Sequence, residues 1–342
     1  MNNTTRNQSY DAAGLFTLSL RLVIGWTYFS AFWRRLILEN KLIPDEAGYI
    51  GEKFNHFLPN ALGIKPLIEY LVTHPDALQN SMVAFTLIEA VVGSFLMLGL
   101  FTRLMSIGVF ALAMGILLGS GWIGTTCLDE WQIGILGISG GFTLFLTGSS
   151  SYSVDQYFLK SNFRFTHTKW FRWFNSGVLP FINPKPFVLI GSVIIFGLTL
   201  FTNQYFHGGV WGTLHNKSVK PKLEISNVSL QKSDLQFQVY RTEGVDVYGS
   251  FLIGVHILDQ HGTVLKELNF KELSEFQKEN IKNHYVAKVK PGKHSLIIPL
   301  GSKADITINI NDLLSRKEEM HSLKLIDISG IEWKAKINSN PL

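Results

Sequence analysis

The strongest constraint in this chain is a set of five apolar runs, at residues 14–38, 81–101, 104–123, 131–146 and 187–206. A helix needs about 20 mainly apolar residues to cross the hydrocarbon core of a bilayer, and only 131–146 falls short of that length. In lipid every backbone N–H and C=O must be satisfied within the segment, so helix is the predicted form of each run. Composition agrees: 46% of residues are apolar and 17% charged, a balance that suits a membrane protein carrying a soluble appendage. The first run is too long for a signal peptide. Its bulky Phe32-Trp33 followed by Arg34-Arg35 also makes a poor cleavage site, so a retained helix is predicted.

The pattern changes after about His207. Alternating or β-branched stretches at 222–230, 235–240, 250–258, 295–300, 304–310 and 323–328 are separated by turn signals such as Asp259-Gln-His-Gly262 and Pro291-Gly292. Half-buried antiparallel strands at this spacing predict a small β-sandwich, interrupted by a more helical insert around 270–283. The predicted fold is therefore membrane α-helical. It consists of a four-helix transmembrane domain (1–160), a basic cytoplasmic linker (161–186), a fifth transmembrane helix (187–206) and an external β-sandwich domain (207–342).

Lys160, Arg164, Lys169, Arg172 and Lys185 face Asp155 alone around that linker, which the positive-inside rule places in the cytoplasm. Arg103, in the turn between the second and third runs, agrees and reads as a topology signal. The N-terminus then lies inside, while loop 39–80, the turn at Cys127 and the β domain lie outside. The net charge of +5 is spread over the whole chain, which gives no case for nucleic acid. Small residues at packing spacing (Ala111, Gly115 and Gly119; Gly134, Gly137 and Gly141) predict a compact bundle.

Ionisable groups within apolar runs are costly and usually face the bundle interior. Arg21 and Glu89 stand on antiparallel helices and are expected to be able to meet. Two readings are open for them: a structural ion pair, or a proton relay and polar wall beside a quinone. Arg34 and Arg35 end the first helix on the predicted outer side. They are either cations placed well at a helix C-terminus or an anion site, since guanidinium forks suit oxyanions.

Cys127 is the only cysteine, which excludes an internal disulfide, a paired-cysteine redox motif and a thiolate-rich metal site. It precedes the fourth run, where a helix N-terminus favours a thiolate; it can equally be a small buried apolar residue. Asp129 and Gln132 have the spacing of a reciprocal helix cap. Glu130 has no capping task and is the better candidate for proton handling. Trp122 and Trp131 read as interfacial anchors.

Several of these stretches together resemble a known family. Arg21-Leu-Val-Ile-Gly25, Glu89-Ala-Val-Val-Gly93, Leu98-Gly99-Leu-Phe-Thr102-Arg103 and Gly148-Ser-Ser-Ser-Tyr-Ser153-Val-Asp155 resemble the DoxX/DoxD family of four-helix membrane proteins. Trp122-Ile-Gly-Thr-Thr-Cys127-Leu-Asp-Glu-Trp-Gln132 is similar to the DoxD branch, the large membrane subunit of thiosulfate:quinone oxidoreductase. Residues 187–342 are similar in layout to its partner DoxA, so the chain resembles a DoxD–DoxA fusion over essentially its full length.

The resemblance implies oxidation of thiosulfate to tetrathionate at the cytoplasmic (inner) membrane, with electrons passed to a membrane quinone (menaquinone, ubiquinone or a relative). Cys127, Glu130 and Glu89 are then the expected catalytic groups. Arg34, Arg35, Asp129, Trp131 and Gln132 are expected to bind substrate, and Arg21 and Trp122 to line the quinone pocket. No dinucleotide fingerprint, haem-attachment motif or flavin signature is present, so no metal, haem or flavin is expected. Thiosulfate, quinone and lipid are the expected partners, and a homo-oligomer is compatible with the sequence. Two other classes stay open: a transporter of a small sulfur-containing anion, and a membrane scaffold presenting the β domain to a partner protein.

Overall fold

The computed structural model describes residues 3–44, 46, 48–124, 129–179, 183–245 and 250–338. The chain divides into two compact units. One comprises Met1–Ile50, Gln79–Gly121 and Leu128–His215; the other comprises Gly51–Leu78, Trp122–Cys127 and Asn216–Leu342.

The first unit is helical. Its elements are α1 (Asn3–Phe16), α2 (Leu18–Phe32) continued as a π-helix over Trp33–Leu38, and the long helices α5 (Pro75–Leu98), α6 (Thr102–Ser120), α7 (Asp129–Thr147) and α10 (Lys185–His207). Three of these, α5, α6 and α10, are long and apolar enough to cross a membrane. The bent pair Gln8–Phe16 and Leu18–Leu38, turned by 50°, makes a fourth if it is one span. α7 matches the short fourth run in place but is not among these candidate spans, and its first turn carries Asp129 and Glu130. Between α7 and α10, the basic stretch forms α8 (Val154–Lys160), a 3-10 turn over Arg164–His167 and α9 (Lys169–Phe174). There Phe158, Phe163, Phe165 and Phe171 pack ring on ring.

Glycines set how the helices meet. A Cβ on Gly93 would lie 2.6 Å from the Gly25 carbonyl oxygen and 2.5 Å from the Phe29 nitrogen, so the backbones of α2 and α5 touch where they cross. On α7, Gly134, Gly137 and Gly141 face Leu117, Ala113 and Phe110 of α6 at comparable range. The α6 half of the expected small-residue stripe differs. Ala111 and Gly115 are exposed, and the packed face is Ser106, Val109, Ala113 and Leu117. The α7 glycines let its backbone lie against the backbone and Cβ atoms of α6.

Among the described residues the second unit carries ten strands: β1 (Lys222–Gln231), β2 (Asp234–Glu243), β3 (Ser250–Leu258), β4 (Val264–Asn269), β5 (Ile281–Asn283), β6 (Lys290–Pro291), β7 (Leu296–Ile298), β8 (Lys303–Asn309), β9 (Ser322–Asp327) and β10 (Glu332–Lys336). One sheet has the order β1-β2-β8-β5, the other β10-β9-β3-β7-β6 with β4 also on β3. Every paired strand is antiparallel. Leu235, Phe237, Val239 and Ile306 from the first sheet share one apolar core with Leu252, Ile257, Ile298 and Leu325 from the second. The helical insert is α11 (Phe270–Ser274), started by a capping box between Asn269 and Glu272.

Loop 39–80 departs from the expectation of a plain external loop. Residues 51–78 belong to the second unit and contain α3 (Glu52–Phe57) and α4 (Lys65–Thr73). Leu58, Ile68 and Val72 form a small core with Tyr285 of the β domain. Asn55, fully buried, donates to the Gly301 carbonyl (3.1 Å) and accepts from the Ala287 N–H (3.1 Å). Gly301 has φ +72°, and a Cβ there would run into the Asn55 carbonyl. Only glycine permits this approach.

Candidate functional site

Among the described residues, two clusters of buried charge occur in the helical unit. The first joins the end of the α2 segment to α5. Glu89, 4% exposed, accepts from Arg35 Nη1 at 2.6 Å, and the same nitrogen lies 3.1 Å from the Thr86 hydroxyl. The Arg35 guanidinium stands 5.9 Å over the Phe85 ring. Tyr28 is buried within electrostatic reach of Glu89. Arg34 differs from its neighbour: it is exposed, and its Nε donates to the Ser30 carbonyl one turn back (3.2 Å).

The expected meeting of Arg21 with Glu89 does not occur, for two geometric reasons. The Gly25–Gly93 crossing sets Arg21 level with Met97, about 12 Å along the axis from Glu89 at 1.5 Å per residue. Side chains on a helix also tilt toward its own N-terminus. On antiparallel helices, Arg35 and Glu89 therefore converge, whereas Arg21 and Glu89 diverge.

Arg21 belongs to the second cluster, where it donates to the Tyr152 carbonyl at 2.6 Å. Asp155, fully buried, accepts from the N–H groups of Phe101 (2.8 Å) and Thr102 (3.0 Å) and the hydroxyls of Thr102 (2.9 Å) and Ser176 (2.7 Å). Phe101 precedes α6 in a left-handed conformation (φ 47°). Asp155 thus supplies from a distance the cap that the helix's own sequence lacks. Burial pushes its carboxyl above the usual range, against the pull of those donors. Arg103 is fully buried and donates to the carbonyls of Phe145, Arg172 and Gly177. It is a structural clamp, where the sequence suggested a topology signal, because each donor meets a helix-end or loop carbonyl that lacks an internal partner.

The remaining expected site residues are distributed as follows. Cys127 lies outside the described residues. Helix α7 begins at Asp129 itself, so Asp129 and Glu130 sit in its first turn, where carboxylates favour the macrodipole. Asp129 and Gln132 are exposed. Trp131 donates from Nε1 to the Thr202 hydroxyl of α10 at 2.9 Å. Trp122 is 1% exposed and donates to the Phe57 carbonyl at 3.2 Å. Both indole N–H groups are bonded within the protein, where an interfacial anchor would put its N–H among headgroups and water.

An apolar cavity of about 220 Å³ opens among α6, α7 and α10, lined by Ser106, Ile107, Phe110, Gly141, Phe142, Phe145 and Phe187. Neither Arg21 nor Trp122 is in that lining. Among the described residues no group of three or more His, Cys, Asp or Glu side chains is placed to hold a metal ion.

Comparison with known families accounts for both units. Residues 16–182 match the model of a family described as the small subunit DoxD of thiosulfate:quinone oxidoreductase. Residues 206–336 match that of the small subunit DoxA. The chain is a DoxD–DoxA fusion. The DoxD part is a small-subunit family by that description, where the sequence resemblance had cast it as the large subunit. With its candidate spans and its DoxD region, the chain is a multi-pass membrane protein.

The motifs behind the resemblance now have visible tasks. Gly25 and Gly93 make the α2–α5 crossing, and Asp155 caps α6. Sequence reading missed Tyr28 and Thr86, because neither is charged. The only available signal was their position, one to two turns from Arg35 and Glu89 on the same helices.

Proposed function

We propose that this chain oxidises thiosulfate to tetrathionate and reduces a membrane quinone to quinol. The observation that carries the reading is the union of DoxD and DoxA in one polypeptide, since both families are subunits of an enzyme of that activity. In this reading α2, α5, α6 and α7 form the four-helix bundle, and α10 is a fifth span in the cytoplasmic membrane. The N-terminus is cytoplasmic and the β domain external, with domain limits near residues 160, 186 and 206.

Thiosulfate is a dianion ending in a soft sulfur, so it needs cations and a sulfur-reactive group. Arg34 carries an exposed guanidinium and recruits the anion, while Arg35 is already engaged by Glu89. Asp129, Trp131 and Gln132 border the substrate. The Cys127 thiolate joins the outer sulfur of one thiosulfate and two electrons leave for the quinone. A second thiosulfate attacks that sulfur, forms tetrathionate and releases the thiolate, so the sulfur balance closes. Glu130 and Glu89 move the two protons that quinol formation takes up. The apolar cavity lined by Phe110, Phe142, Phe145 and Phe187 suits a quinone ring. Arg21 and Trp122 then act on the quinone pocket from outside that lining.

The test uses purified protein in liposomes with thiosulfate and a soluble quinone analogue. Quinone bleaching with tetrathionate formation supports the reading. Thiosulfate uptake without redox change identifies a transporter, and neither outcome leaves a scaffold. Cys127→Ser with undiminished quinol formation eliminates the covalent step while leaving direct transfer in a shared pocket.

A further inference from the structure

Residues 149–179 run from the end of α7 to the stretch before α10 and are fastened to the start of α6 by buried groups. Asp155 caps α6 and accepts from the Ser176 hydroxyl at 2.7 Å. Arg103 donates to the carbonyls of Arg172 and Gly177. Phe171, with no exposed surface, meets the Phe101 ring edge-on at 6.1 Å. These contacts draw on the backbone and on few side chains, which leaves much of the segment facing outward. Tyr152, Tyr157, Phe163, Trp170, Trp173 and Phe174 are exposed, and so are Lys160, Arg164, Lys169 and Arg172. Asp155 is the only acidic residue between 131 and 185, and it is itself buried. Every exposed formal charge on the segment is therefore positive.

Six large rings exposed on so short a segment would be a liability in water. Where membrane helices end they are not, because aromatic rings favour the headgroup level. On α9, at 100° per residue, Trp170, Trp173 and Phe174 fall in one arc. The buried Phe171 lies to one side of it, and Lys169 and Arg172 to the other. A short helix with an aromatic face bordered by cations is built to lie in the headgroup layer. We propose that residues 149–179 form a preformed docking surface for anionic phospholipid headgroups. The rings sit at the boundary with the acyl chains, and Lys160, Arg164, Lys169 and Arg172 meet the phosphates, whose oxygens suit guanidinium forks. The surface requires only that the chain be inserted in a membrane, and it is independent of the reaction proposed above.

The test measures binding of dioleoylphosphatidylglycerol and dioleoylphosphatidylcholine to the full-length protein in detergent by native mass spectrometry. The native chain should prefer the anionic lipid by at least about fivefold, the scale of one cation beside an anionic surface. Combining Lys160→Gln, Arg164→Gln, Lys169→Gln and Arg172→Gln should bring the two lipids to parity. If that variant does not fold, the pairs Lys160→Gln with Arg164→Gln and Lys169→Gln with Arg172→Gln should each lose part of the preference. A control removes the same charge from exposed lysines of the β domain, by Lys278→Gln, Lys290→Gln, Lys293→Gln and Lys334→Gln together, and should keep the preference. Trp170→Ala with Trp173→Ala should weaken both lipids alike, since the rings meet acyl chains and not the headgroup charge. Equal binding of both lipids to the native chain, or an equal loss in the control, overturns the proposal. So does displacement of the lipid by excess inorganic phosphate, which would mark a site for free anions.

Discussion

Glu89 and Asp155 are both buried carboxylates of the helical unit, yet their surroundings differ in kind. Asp155 accepts four hydrogen bonds, two of them from the backbone N–H groups that open α6. Its lone pairs are committed, and its task is to hold a turn. Glu89 is bonded through one oxygen to one partner, Arg35, among the described residues. That guanidinium is 15% exposed and is shared with the Thr86 hydroxyl. A carboxylate with capacity left over, beside a partly exposed cation, can exchange a proton or respond to an anion; one saturated by four donors is committed to holding its surroundings. The difference separates a lock from a candidate reaction group, although the two residues look alike in sequence.

The comparison is broken most severely at the lock. Asp155→Ala strands buried N–H donors of Phe101 and Thr102 and should cost roughly 3 kcal/mol or more. The check is a large drop in melting temperature in detergent; an unchanged transition contradicts the capping role. Glu89→Gln should do the reverse, losing less stability but about 100-fold in thiosulfate-dependent turnover, the usual scale of a proton-transfer group. Steady-state assays beside melting curves decide this, and retained turnover with collapsed stability would make Glu89 a second lock.

The two arginines sharpen the contrast further. Arg34→Gln should raise the thiosulfate KM about tenfold and leave kcat intact. Arg35→Gln should act on kcat through Glu89, and identical kinetic effects of the two would erase the distinction drawn between them.

The smallest effect lies in the β domain. Desolvation raises the Asp305 carboxyl, but hydrogen bonds from Gln238 and His284 and the charges of His284 and Lys282 outweigh it and hold it below its usual value. Its stabilisation is therefore present at neutral pH and lost as the pH falls through the lowered value. Asp305→Asn should flatten the acid limb of the unfolding profile slightly, by less than about 1 kcal/mol for so exposed a pair.

Much of this was legible from residue patterns, and the misses have physical causes. The apolar runs located the long helices to within about six residues but not the break at Thr17 between α1 and α2, because lipid leaves no other backbone solution than helix yet says nothing of a bend. Six strands were readable from alternation. β4, β5, β6 and β10 were not: β5 and β6 are only three and two residues long, and β4 and β10 expose charged side chains such as Glu267, Glu332, Lys334 and Lys336. Helices α3 and α4 looked like part of an external loop, since their apolar faces become useful only against Tyr285, more than 200 residues away. The charged residues of the site stood out as costly, but their partners did not. Pairing depends on the register fixed by Gly25 and Gly93, and a one-dimensional reading does not supply it.

The most direct test of the central claim is simultaneous quantification of thiosulfate, tetrathionate and quinol with the purified chain in a bilayer. The account predicts two thiosulfates consumed for each tetrathionate and each quinol formed. A folded, membrane-inserted protein that leaves both thiosulfate and quinone unchanged would contradict it.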